Sequence, residues 1–176
     1  MAAAPLSLKA RALQWLAQRE HSRLELRRKL LRRARQRAAD EAAKVGSAKD
    51  GGSEAPLAPE AEIDALLDWL QAHRYLSDTR FVESRVNARS VRYGNLRIRQ
   101  ELGQHGTVLD SDTAKGLKDS EPARARAVWL RKYGSSPASS APDRARQMRF
   151  LAGRGFSADA IRHAVRGVHG DADDDA

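Results

Sequence analysis

Histidines and paired carboxylates are the groups best suited to proton transfer or metal binding, and this chain of 176 residues scatters them. His21, His73, His105, His163 and His169 form no His-Glu-x-x-His pair, and no Gly-rich phosphate loop accompanies them. Asp64 and Asp68 stand one helical turn apart, but the leucines between them fit the solvated face of an amphipathic helix better than an acid–base pair. Without cysteine there is no thiolate metal site and no disulfide framework. These patterns speak against an enzyme and imply no cofactor and no metal.

Arginine is the one chemistry-bearing residue with a pattern. Arg85, Arg89 and Arg92 recur at i, i+4 and i+7 on one helical stripe, Arg97 and Arg99 follow a turn later, and Arg27, Arg28 and Arg32 form a similar group near the N-terminus. With a net charge of +9 and a pI near 10.4, the chain is drawn at long range to a polyanion or an acidic protein surface. Arg supplies 25 of the 32 basic residues, a bias that a GC-rich genome also produces, so each arginine is equally a solvated residue whose stem covers a thin core. Trp15, Trp69, Trp129 and Phe150 lie in apolar helical patterns and are expected in cores rather than as base-stacking platforms.

The elements that carry these arginines are all helical. Ser7 begins a helix with Leu8, Ala12, Trp15 and Leu16 on one side, and Ser22 and Glu25 have capping-box spacing for a second, which buries Leu26 and Leu30. Ile63, Leu66, Leu67 and Leu70 mark a third. Leu76, Ser77 and Phe81 have staple-and-cap spacing for a helix with Val82, Val86 and Tyr93 on its apolar stripe, which Gly94 and Asn95 break. Leu96, Ile98 and Leu102 form the next helix. Asp110 caps a short one through Asp119, Pro122 opens another that ends at Tyr133-Gly134, and Phe156, Ser157 and Ile161 start the last. HSRLELRRKL set over YGNLRIRQEL pairs Leu24 with Leu96, Leu26 with Ile98 and Leu30 with Leu102 without a gap, an internal repeat.

Residues 34–60 lose apolar periodicity after an extension of the second helix to about Val45, and the rest reads as a flexible insertion spanning on the order of 25–30 Å. Residues 134–142 read as a polar linker and 171–176 as an acidic tail. Lys9 and Arg11 interrupt any apolar run near the N-terminus and no stretch approaches a membrane span, so a cytoplasmic protein with no membrane partner is expected.

REHSRLELRRKL at 19–30, RYLSDTRFV and RYGNLRIRQELGQHG within 74–106, and RFLAGRGFSADAI at 149–161 together resemble the RecX family of bacterial recombination regulators, in the same order and over nearly the whole chain. The resemblance implies an all-α protein of three tandem three-helix, helix-turn-helix-like modules in an elongated, curved arrangement, at 1–75, 76–120 and 121–170. It also implies a monomer that binds RecA and RecA–DNA filaments and lowers filament growth, ATP hydrolysis, strand exchange and coprotease activity. Arg74 stands where the family usually has Gly, and Ser77 where a second acidic residue is common. The arginines Arg27, Arg28, Arg32, Arg85, Arg89, Arg92, Arg97 and Arg99 are the candidates for the filament-facing surface.

Helix-turn-helix spacing leaves an alternative, a basic protein acting directly on single- or double-stranded DNA through SRLELRRKLL or NLRIRQEL. Base readout uses a few contacts at a helix N-terminus, whereas here arginine is spread through every module, as suits phosphate or acidic-surface contact.

Overall fold

The computed structural model describes residues 6–44, 58–134 and 140–166. Among the described residues all regular structure is helical: α1 Leu8–Gln18, α2 Arg23–Lys44, α3 Ala58–Ala72, α4 Asp78–Ser90, α5 Asn95–Gln104, α6 Ser111–Tyr133, α7 Ala141–Gly153 and α8 Ala158–Arg166. The chain divides into two compact units, 1–81 and 82–176, with the division falling inside α4.

Short polar side chains set where these helices begin. Ser7 Oγ accepts from Ala10 N at 3.1 Å, Ser22 Oγ from Glu25 N at 3.0 Å, Ser77 Oγ from Arg80 N at 3.2 Å and Asp110 Oδ1 from Thr113 N at 2.8 Å. Each satisfies one of the N–H groups that a helix leaves without an internal partner.

In the first unit Ala12, Leu26, Leu30, Ile63, Leu67, Leu70 and Leu76 form one buried cluster, with Trp15, Leu66 and Trp69 packed at its margin. The two tryptophans are thus half-buried, whereas Trp129 is wholly enclosed in the second unit, where Val128, Leu151, Phe156, Ile161 and Ala164 surround it. Its indole N–H donates to buried Gln147 Oε1 at 2.9 Å, so the ring is buried without stranding a polar group.

Several sequence expectations are corrected. The helix expected to end before Pro122 and the one expected to start there are a single 23-residue helix, α6, with Pro122 inside it. Proline removes one N–H from the ladder. Around the break, side chains engage the preceding turn: Ser120 Oγ donates to Gly116 O at 2.7 Å, and Arg124 Nη2 and Asn95 Nδ2 donate to Leu117 O at 2.9 and 3.0 Å. Burial of Leu117, Glu121 and Ala125 holds both halves of α6 in the second unit.

α4 stops at Ser90, so Tyr93 lies beyond the helix on whose stripe it was expected, and Asn95 starts α5 instead of breaking α4. Leu96, expected on an apolar face, is 62% exposed. The extension of the second helix to about Val45 matches α2, which runs to Lys44; of the rest of the expected insertion, residues 58–60 belong to α3 and 45–57 lie outside the described residues. In the expected linker, α7 already starts at Ala141 with Ser140 as its cap. Residues 135–139 and the expected tail at 171–176 lie outside the described residues.

Candidate functional site

The eight candidate arginines fall into groups with different surroundings. In the first unit α2 and α3 run antiparallel, and their charges meet in reverse order: Arg23 Nη2 lies 2.8 Å from Asp68, and Arg27 donates to Asp64 from Nε at 2.7 Å and Nη2 at 2.9 Å. Glu60 adds a contact to Arg27 at 3.3 Å and lies 3.8 Å from Arg35. The bonds from Arg27 hold Asp64 below the usual carboxylate range, and those to Asp64 raise the guanidinium's pKa in return. Asp64 and Asp68, expected as a merely solvated face, are therefore ion-pair partners, Asp64 of the candidate Arg27 and Asp68 of its helix neighbour Arg23. Spacing by four on both helices was the sequence signal for this ladder.

Arg28 and Arg32 are exposed on the same helix and line a shallow cleft with Leu31, Arg35, Gln36 and Ala39. In the second unit Arg85 and Arg89 converge on Glu101: Arg85 Nε lies 3.3 Å from its carboxylate, and Arg89 donates to it from Nε at 3.1 Å and Nη2 at 2.9 Å. Arg85 also meets His105 Nε2 at 3.1 Å. The stripe read as one cationic face is thus partly neutralised from α5.

Arg92, Arg97 and Arg99 are exposed, and none of the three is ion-paired among the described residues. Arg97 stacks over the Tyr93 ring at 4.6 Å, while Arg99 lines a cleft with Leu102, Gly103, Thr107 and Val108. A further arginine, Arg154, joins Tyr93 from the α7–α8 turn: its guanidinium carbon lies 5.8 Å from the Tyr93 ring centre and 4.9 Å from that of Phe150, and Nη1 donates to Arg92 O at 3.3 Å. Sequence reasoning missed Arg154, although it stands within RFLAGRGFSADAI, one of the stretches that carry the family resemblance.

Two glycines bring that turn against α5. Gly94 N donates to Arg154 O at 2.9 Å and Leu96 N to Gly155 O at 3.1 Å, so backbone carbonyls at the start of α5 stand in for the side chain that its N-cap residue, Gly94, lacks. A Cβ on Gly94 would lie 2.2 Å from Gly155 O and Phe156 N. Gly155 takes φ +80, the left-handed region open to glycine, and a Cβ there would meet Arg97 at 2.6 Å.

Arg124, also missed, locks this region from α6. Its Nη1 donates to Ser90 O at 3.2 Å and Tyr93 O at 2.9 Å, and its Nη2 to Asn95 Oδ1 at 2.5 Å. Burial lowers its pKa while the Glu121 charge opposes that shift, and Glu121 Oε1 accepts from Asn95 N at 2.8 Å. The aligned residue of the first copy, Arg23, donates its N–H in the same way to Asp78 Oδ1 at 2.8 Å. In both copies, then, a carboxylate from a neighbouring helix caps the repeated helix.

Among the described residues no three metal-ligating side chains gather, and no helix is long and apolar enough to cross a membrane. Fold and surface together define an all-α protein of repeated helix-turn-helix-like elements that presents arginine to its surroundings.

The comparisons with known proteins agree with that class. A family model described as RecX, third three-helix domain, matches residues 119–165, which cover the second half of α6, α7 and most of α8. The protein named Regulatory protein RecX from Ralstonia nicotianae is 44% identical over 173 residues, covering 97% of this chain and 93% of its own. That from Herminiimonas arsenicoxydans is 46% identical, covering 94% and 95%, and that from Chromobacterium violaceum is 39% identical, covering 99% and 97%. The chain belongs to the RecX family, whose members here carry the name of a regulatory protein rather than an enzyme.

Proposed function

We propose that this protein binds RecA and RecA–DNA filaments and restrains filament growth, ATP hydrolysis, strand exchange and RecA's coprotease activity. The observation that carries the proposal is family membership over nearly the full length, with 44% identity to a regulatory relative across 97% of the chain. Positive charge draws the chain to a polyanionic nucleoprotein filament, and arginines on both units supply several weak contacts. Attachment of one unit raises the effective concentration of the other, so contacts that are weak singly hold together.

Of the eight candidate arginines, Arg28, Arg32, Arg92, Arg97 and Arg99 are the outward-facing set proposed to meet the filament. Arg27, Arg85 and Arg89 reach it only by giving up carboxylates they already hold. A chain bridging protomers, or occupying the place where the next one adds, slows growth and impedes the movements that accompany ATP turnover.

The test is filament growth on single-stranded DNA, followed with fluorescent RecA. Protein at a small fraction of the RecA concentration is expected to slow or stop elongation. Elongation at the uninhibited rate in the presence of equimolar protein refutes the proposal.

A further inference from the structure

We propose that the acidic segment following α8 docks within its own chain, on the cationic surface of Arg92, Arg97, Arg131, Lys132 and Arg154, and occupies that surface until an acidic partner displaces it. The inference is independent of the RecA proposal, because it concerns a contact that the chain makes alone. Arg154 joins the parts of the surface: it shares Tyr93 with Arg97, donates to the Arg92 carbonyl, and lines a cleft of about 190 Å³ with Arg131, Lys132, Val128 and Phe150. Four of the five cations are exposed and Arg154 is half-buried. Among the described residues none of the five forms an ion pair, unlike Arg27, Arg85 and Arg89.

Charge and reach select the occupant. The segment carries Asp171, Asp173, Asp174 and Asp175, and no Lys or Arg follows Arg166 to offset them. It is tethered to a helix that begins at the surface: α8 starts just after the Arg154 turn, and its nine residues rise about 14 Å. At about 3.5 Å per extended residue, Asp171 reaches about 17 Å from Arg166 and Asp175 about 31 Å. The acidic run is therefore long enough to return along α8 to Arg154 and its neighbours.

The region near the end of α8 competes poorly for these carboxylates. Arg162 is paired with Asp159, and Arg126 donates to Ala164 O while lying over the Trp129 ring. The carbonyl end of a helix also carries partial negative charge, which disfavours carboxylates at its last turn.

Exposed ion pairs are weak singly, but a short tether keeps the acids at an effective concentration in the millimolar range, so several contacts hold together. A guanidinium lying against an aromatic ring also loses less freedom when its N–H edge grips a carboxylate. Tyr93 holds Arg97 and Arg154 in this way, and Phe150 holds Arg154 from a second side.

The experiment is carbodiimide coupling of the full chain in dilute solution, which joins a carboxylate directly to a lysine amine where the two meet. Lys132 is the surface's one lysine. Peptide mapping of the monomer by mass spectrometry is expected to find the segment's aspartates joined to Lys132 in excess over Lys115 and Lys118, which are exposed on the first half of α6. High salt is expected to abolish that product.

Arg97→Gln with Arg154→Gln leaves Lys132 in place but removes two neighbouring cations, and is expected to lower the yield about fivefold. Arg92→Gln with Arg131→Gln is expected to act likewise without touching a ring contact, which keeps the test valid if the first pair fails to fold. Arg146→Gln with Arg162→Gln, each already paired with an aspartate in its own helix, removes the same net charge elsewhere and is expected to leave the yield unchanged. No product at Lys132, equal products at the three lysines, or an equal fall in all three variants would overturn the inference. A Lys132 product confined to cross-linked dimers would assign the acidic segment to a second copy and overturn it as well.

Discussion

Several arginines of residues 1–81 are held by the protein's own carboxylates, whereas a set within 82–176 lies against aromatic rings instead. In the first unit Arg19, Arg23, Arg27 and Arg80 each meet a carboxylate, from Glu25, Asp68, Asp64 and Glu20 respectively. In the second, Arg97 and Arg154 lie against Tyr93, and Arg92 extends from a turn with no carboxylate partner among the described residues. Helical spacing places a side chain on a face, but only the opposing helix decides whether its charge is already satisfied.

The repeat sharpens this comparison, because Ser22 and Gly94 occupy equivalent positions and solve the same capping problem differently. Ser22 uses its own hydroxyl, while Gly94 lets the backbone of 154–156 approach. Gly94→Ser, though it copies the first unit, is expected to destabilise the second by more than about 3 kcal/mol, because a Cβ at that position collides with backbone. Ser22→Gly is expected to cost only a few tenths of a kcal/mol. Denaturant unfolding followed by Trp129 fluorescence, with Trp15 and Trp69 replaced by Phe, reads the second unit separately. Equal effects at the two positions would break the comparison.

Arg80 and Arg124 are a second contrasting pair, since each donates to backbone carbonyls at a turn: Arg74 and Tyr75 for the first, Ser90 and Tyr93 for the second. The Arg80 side chain is 42% exposed and shares its charge with Glu20, so Arg80→Met is expected to cost about 1 kcal/mol. Arg124→Met also strands Glu121, Asn95 and several carbonyls, with an expected cost of about 2–4 kcal/mol. Chemical denaturation of each variant, with fluorescence for its unit, measures the difference.

Acidity acts on the first unit through His21, which is buried beside Glu25, Arg19 and Lys29. Burial lowers its pKa, Arg19 and Lys29 lower it further, and Glu25 opposes them. Since the folded pKa lies below the unfolded one, the unfolded chain binds more protons as pH falls through about 6.5, and stability drops with it. Glu25 acts at lower pH: burial raises its pKa, but the bond from Arg19 and the nearby charges outweigh this and lower it, so its contribution fades only in more acid solution. Stability measured from pH 7.5 to 5.5 is expected to decline, and His21→Gln to flatten the profile. An unchanged slope in that variant contradicts the assignment.

The smallest expected effect is a gain. Arg74 sits at φ +60, the left-handed region that costs a side-chain-bearing residue about 1–2 kcal/mol, while the corresponding turn at 152–156 uses Gly155. Arg74→Gly is expected to stabilise the first unit by about 0.5–1 kcal/mol after the added freedom of the unfolded chain is counted. A loss of stability would mean that the Arg74 side chain contributes more than its backbone costs.

Helix starts are legible in the sequence because a cap is local: Ser22, Ser77 and Asp110 each bond within three residues. The continuous α6 is not, since Pro122 is a strong local stop signal that is overridden by Leu117, Glu121 and Ala125 packing in the second unit. The site is legible only in part. Arg92 and Arg97 show as basic residues, but the quenching of Arg85 and Arg89 by Glu101 and the arrival of Arg154 at Tyr93 depend on tertiary approach.

The most direct measurement is RecA's ATPase on single-stranded DNA, titrated with this chain. The proposed function predicts inhibition well below one chain per RecA protomer, at concentrations that leave free DNA unsaturated. An unchanged rate at one chain per protomer would contradict it.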